Sequence, residues 1–168
     1  MNEILHTNKY FQVEEKRYVL NEVPKRHFVV TEKFQCSGAV AVALFEDGDF
    51  LMIEHYRPAI GEISREFSRG ACEEGHTTAQ TATKELLEET GYAGDEPEFL
   101  GKLHTNNSMI ASHIDLYVIR NVKQVTQETD GEVARSLKVS KNELKESIRT
   151  GLITDSHTLA AYAFLASQ

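Results

Sequence analysis

Gly70-Ala-Cys-Glu-Glu-Gly-His-Thr-Thr-Ala-Gln-Thr-Ala-Thr-Lys-Glu-Leu-Leu-Glu-Glu-Thr-Gly-Tyr92 is the stretch that decides how this chain is read. Thr77 and Gln80 have capping-box spacing, so a helix opens near Thr77. Gly91 is the residue type that ends helices in a left-handed turn. Between them Ala79, Ala82, Leu86 and Leu87 recur at helical period and form the expected inward stripe. Glu85, Glu88 and Glu89 crowd into about one turn beside that stripe. Three- and four-residue spacings set Glu85 against both other acids, which weakens an isolated helix. Glu88 and Glu89 also face the negative pole of the helix dipole. Such local violations mark places where function overrides stability. A divalent cation would relieve both faults, and clustered carboxylate oxygens suit Mg²⁺ shared with substrate phosphates. On spacing alone, a solvated acidic helix face explains the run equally well.

Upstream, residues 10–20 and 26–34 carry strand patterns around the polar segment Asn21–Lys25, which reads as a β-hairpin. Residues 39–45, Ala-Val-Ala-Val-Ala-Leu-Phe, are apolar on both faces and fit a central strand. Asp47-Gly48 then turns the chain into a return strand ending at Arg57-Pro58. A short strand fits 63–67. Downstream, strands fit 99–103, 114–119 and 133–139. Ser140 and Glu143 cap a helix ending at Gly151, and Asp155 caps a last helix carrying Leu159, Ala163 and Phe164 inward. Strands and helices mix without regular alternation, so the fold class is α+β, an α/β/α sandwich.

At 168 residues the chain has enough length for one domain with a full core. A net charge of −8 argues against electrostatic nucleic-acid binding, so phosphate handling would need local basic groups or metal ions. Cys36 and Cys72 are too few for a disulfide framework and are expected as free thiols. The first residues lack the apolar core of a signal peptide, and no run is long enough to span a bilayer. A soluble, cytoplasmic protein is expected.

The quoted stretch resembles a Nudix box, G-x5-E-x7-R-E-U-x-E-E-x-G-U, where U is apolar. Gly70, Glu85, Leu86, Glu88, Glu89 and Gly91 match, and Tyr92 is a common variant of the last position. Residues 54–58 and 65–70 look like the segment before the box in ADP-ribose and nucleoside-diphosphate-sugar pyrophosphatases. Residues 140–164 are similar to the last helices of that subfamily. The resemblance covers nearly the whole chain. It implies a Nudix fold with a mixed sheet between helices over residues 35–168. Residues 1–34 would form an N-terminal β-hairpin extension used for homodimer contact.

The implied activity is metal-dependent hydrolysis of the diphosphate in ADP-ribose or a related nucleoside-diphosphate sugar, giving two monophosphates. Glu85, Glu88 and Glu89 would bind Mg²⁺ or Mn²⁺ and carry catalysis, helped by a backbone carbonyl near Arg69 or Gly70. Arg57 would contact phosphate, and Glu66 would position the nucleoside or sugar end. The partner would be a small nucleoside diphosphate derivative, with neither nucleic acid nor membrane.

Three departures qualify this. The first box Glu is His76, with Glu73 and Glu74 close by. The box Arg is Lys84, which keeps the charge and loses the bidentate fork. The subfamily commonly carries its general base as a Glu on the loop before the late strand. Assigning 114–119 to that strand puts Ser112 there, and residues 104–113 contain no Asp or Glu. His113, Asp115 or Glu88 would then take the role. A degenerate, non-catalytic Nudix domain that binds a nucleotide as a sensor is the alternative.

Overall fold

The computed structural model describes residues 2–33 and 37–168. The end of the second expected strand at Phe34, and Cys36, lie outside the described residues. The first three strands, β1 (Glu3–Thr7), β2 (Phe11–Leu20) and β3 (Val23–Glu32), form an antiparallel sheet of their own. The expected hairpin is therefore present with a third strand added. Its turn is tighter than expected. Asn21 and Glu22 both take positive φ, 50° and 64°, and Leu20 pairs directly with Val23. Two left-handed residues make the turn whose twist matches the flanking strands. Pro24 lies inside β3 opposite Val19.

The rest of the chain runs β4 (Gly38–Leu44), β5 (Phe50–Arg57), β6 (Glu62–Glu66), β7 (Ser68–Gly70), α1 (Thr78–Thr90), β8 (Tyr92–Ala93), β9 (Glu98–Leu103), β10 (Ile114–Ile119), β11 (Lys123–Gln124), β12 (Val133–Val139), α2 (Lys141–Arg149) and α3 (Ser156–Ala166). A mixed sheet has the order β12-β5-β4-β10-β9, with β6 on β5 and β7 on β4. Strands β4 and β10 are parallel, and the other pairings are antiparallel. This is the expected mixed-sheet sandwich.

Strand β4 shows why both faces are covered. Val40, Val42 and Leu44 join Phe50, Met52, Leu144, Ile153 and Ala161 in one core, beneath α2 and α3. Ala39, Ala41 and Ala43 point the other way and pack with Ala82 and Leu86 of α1. Small side chains on that face let the helix approach the strand closely. Two details of the helical stripes differ from expectation. Leu87 is 37% exposed while Glu89 is 5% exposed, so α1 buries a carboxylate and leaves a leucine out. On α3 Ala163 is exposed, and Ala161 takes the buried place. Cys72 is disulfide-bonded, contrary to the free thiol expected.

The small N-terminal sheet is tied to the large one through the segment before β10. Val30 donates to Met109 O at 2.8 Å and accepts from Ala111 N–H at 2.9 Å, forming a parallel bridge with Ile110. The His27 ring also bonds the Ser108 carbonyl. No helix among the described residues is long and apolar enough to cross a membrane.

Candidate active site

Both ends of α1 are fixed by caps. Thr77 accepts from Gln80 N–H at 3.2 Å, and the Gln80 side chain returns a bond to Thr77 N–H at 2.9 Å. At the other end Gly91 takes φ 74°, and its N–H reaches Leu87 O. The three carboxylates thus sit on a rigid helix beside β7 at the wall of a cleft of about 1350 Å³.

Glu85 lies over Gly70. A Cβ placed there would stand 2.1 Å from the Glu85 carboxyl carbon, so the glycine makes room for the acid. Glu89 accepts from Arg69 N–H at 3.3 Å. Burial pushes Glu89 up to about 8, against the hydrogen bond from Ser68, and the Glu85 charge adds to the rise. Burial likewise raises Glu85, with the Glu88 and Asp130 charges acting in the same direction. The pair is therefore two desolvated carboxylates that repel each other.

Glu88 points elsewhere. It binds Lys84 at 2.5 Å, and Lys84 also reaches Glu73 at 3.2 Å. Glu73 in turn lies 3.6 Å from His76. The residues that replace the box Glu and Arg are thus linked through Glu73. With Glu88 held this way, no three His, Cys, Asp or Glu side chains among the described residues form a group able to hold a metal ion. The donor set still fits a divalent cation. Half-buried Glu85 and buried Glu89 are coupled oxygen donors whose pKa values stay raised despite the Lys84 and Arg57 charges, and Glu88 lies within one turn of helix.

Next to Glu89 lies an ion network. Arg57 grips Glu66 through Nε at 3.0 and 3.1 Å and Nη2 at 2.5 Å. Arg69 Nε donates to Glu66 at 3.2 Å, and its Nη2 is 3.7 Å from Asp155. Glu66 is 1% exposed and lies behind the cleft, whose wall includes Arg57 and Arg69. Burial opposes ionisation of Glu66, but its bond to Arg57 and the Arg69 charge hold it below the usual carboxylate range. Asp155 caps α3 by accepting from Thr158 N–H at 2.8 Å. Although burial opposes its charge, its bond with His157 and the Arg69 charge hold it down at about 2.

The acid-free segment 104–113 does border the cleft, through Thr105, Ile110, Ser112 and His113. His113 is engaged by Ser37 Oγ at 2.8 Å, and Asp115 accepts from Thr78 Oγ1 at 2.9 Å. Besides Glu32, Glu73 and Glu74, three acids of the cleft come from a different loop, residues 125–132, before β12. Glu128, Asp130 and Glu132 all line the cleft. Val125 and Thr126 N–H both bond Gly91 O, and Asp130 N–H bonds Glu88 O at 2.9 Å. These bonds use carbonyls that the end of α1 leaves open. Sequence reasoning missed this loop because it sought the base on residues 104–113, before the strand at 114–119. The run Glu128-Thr-Asp-Gly-Glu132 was the available signal.

A model of the NUDIX domain matches residues 37–154. A methanol dehydrogenase activator from Bacillus methanolicus is 28% identical over 151 residues, covering 88% of this chain and 82% of that protein. An ADP-ribose pyrophosphatase from Saccharomyces cerevisiae is 28% identical over 108 residues, covering 56% of this chain and 46% of the yeast protein. The crystal structure of an ADP compounds hydrolase superposes with a TM-score of 0.85 at 18% identity, over 99% of this chain and 90% of that one, a likeness of fold.

Proposed function

The chain belongs to the NUDIX domain family, and from that premise we propose that it hydrolyses the diphosphate of ADP-ribose or a related nucleoside-diphosphate sugar to two monophosphates, using Mg²⁺ or Mn²⁺. The observation that carries this reading is the pair of half-buried Glu85, over Gly70, and buried Glu89 at the wall of the cleft. Relatives described as ADP-ribose and ADP-sugar pyrophosphatases support the substrate class.

In this reading Glu85 and Glu89 hold the cation, joined by Glu88 when it leaves Lys84. The cation, when bound, neutralises the diphosphate and activates water. Arg57 presents its guanidinium to a phosphoryl oxygen, its plane fixed by the bidentate grip of Glu66. Glu66 acts on the nucleoside or sugar end through Arg57 and Arg69. Loop 125–132 supplies the proton acceptor. Asp130 takes that role because it lines the cleft and its charge couples to Glu85. The protein works in the cytoplasm as a homodimer through its N-terminal sheet, where exposed Tyr18, Val19, Leu20, Val23 and Phe28 offer an apolar contact.

The test is phosphate release, after phosphatase treatment, from a panel of diphosphates with Mg²⁺. Turnover of ADP-ribose that is lost in Glu89→Gln supports the hydrolase. Binding without turnover across the panel overturns it in favour of a nucleotide-sensing module. That second reading is favoured by the activator relative, which aligns along most of both chains, and by His76 in place of the box Glu.

A further inference from the structure

His55 precedes Arg57 by the two-residue period of β5, so both side chains leave the same face of the strand. Both line the cleft. The backbone of His55 is held on each side, opposite Ser64 of β6 and Val133 of β12, so its side chain stands on a fixed base. Its Nδ1 is buried and has no hydrogen-bond partner. A neutral imidazole has one N–H and one bare nitrogen. An unpaired buried N–H is rarer than an unpaired acceptor, which assigns the bare nitrogen to Nδ1 and the hydrogen to Nε2. Burial and then the neighbouring Arg57 charge lower the His55 pKa, with Glu66 and Glu132 acting against them and Arg69 with them. The ring is accordingly neutral at pH 7.

We propose that His55 is a specificity-determining residue, whose Nε2–H donates to a non-bridging phosphoryl oxygen of a diphosphate diester, next to the one met by Arg57. This rests on the cleft being a diphosphate site. A neutral donor beside a guanidinium favours a diester, which carries one charge per phosphate. It adds little attraction for a dianionic terminal phosphate. The ring donates no bond to a carboxylate that would raise its basicity, so the role is recognition and not proton transfer.

The experiment compares His55→Gln, which keeps an N–H donor, with His55→Leu and His55→Met, which do not. ADP-ribose with Mg²⁺ is the substrate. The apolar variants are expected to raise KM about 10- to 100-fold, the range of a hydrogen bond to a charged group. Their kcat should stay within about twofold, and His55→Gln should resemble wild type. An unchanged KM in both apolar variants overturns the proposal. So does a loss confined to kcat with a displaced pH profile in His55→Gln.

Binding of methylene-bridged ADP-ribose, which resists hydrolysis, separates this inference from the hydrolase reading. If wild type binds the analogue but turns over nothing, the hydrolase reading fails alone, and weaker binding by the apolar variants still supports His55. If wild type does not bind the analogue, both fail.

Discussion

The carboxyl group of Glu85 occupies the space that a side chain at Gly70 would fill, 2.1 Å from the position of its Cβ. The obstructing atoms belong to the end of a flexible side chain, so Gly70→Ala should fold by displacing Glu85. A stability change of no more than about 1 kcal/mol is expected, with kcat falling about 100-fold if Glu85 holds the proposed cation, since the carboxylate is then misplaced. Thermal denaturation and initial rates on the same preparation check this. Unchanged turnover would remove Glu85 from the mechanism.

Glu89→Gln should separate stability from activity. The folded pKa of about 8 lies above the ordinary value of 4.5, so the metal-free native state holds a proton that the unfolded chain releases. Its stability therefore falls as pH rises from about 4.5 to 8. Glutamine removes that penalty, and metal-free Glu89→Gln should melt higher than wild type at pH 8 and close to it at pH 4.5. Mg²⁺ should raise the wild-type melting temperature at pH 8 through linkage and move the variant little. A flat wild-type response to saturating Mg²⁺ counts against the site.

Glu66→Gln breaks the buried centre of the arginine network. Arg57 and Arg69 lose their shared counter-charge, and removing one partner of a buried ion pair costs about 3–5 kcal/mol. Arg57 also loses the fork that sets its plane, so KM for ADP-ribose should rise. Chemical denaturation with a KM measurement decides this. A drop in stability with an unaltered KM would leave Glu66 a purely structural residue.

Asp155 contributes to the pH dependence on the acid side. Its folded pKa of about 2 is below the ordinary 3.8, so its contribution is fully present above pH 3.8 and is lost as pH falls towards 2. Asn caps helices as well as Asp, so Asp155→Asn isolates the charge. Wild type should exceed the variant by up to about 2 kcal/mol at pH 7, and the two should converge near pH 2. A gap that persists at pH 2 would assign the effect to packing.

Local signals served well where local physics decides. Thr77, Gly91, Ser140 and Asp155 bound helices where their types predict, and β10 spans the expected 114–119. The Asn21-Glu22 turn was hidden because Glu at positive φ is uncommon, and Pro24 drew attention away. Leu87 and Glu89 exchanged places because burial on α1 follows the position of β7, which a helical period does not encode. The acids of loop 125–132 reach the site through backbone bonds to Gly91 and Glu88. Such bonds leave no trace in residue type. Gly91 alone hints at them, since a Cβ there would stand 2.3 Å from Thr126 O.

The bridge from Val30 to Ile110 ties the first strands to the wall of the cleft. Segment 104–113 forms one wall of the cleft and borrows its backbone partners from β3. Removing residues 1–33 would leave that wall without its edge. Exchanging them with a relative's would reshape it. Sequence drift in the N-terminal segment would thus alter the shape of the cleft while leaving the acidic helix untouched.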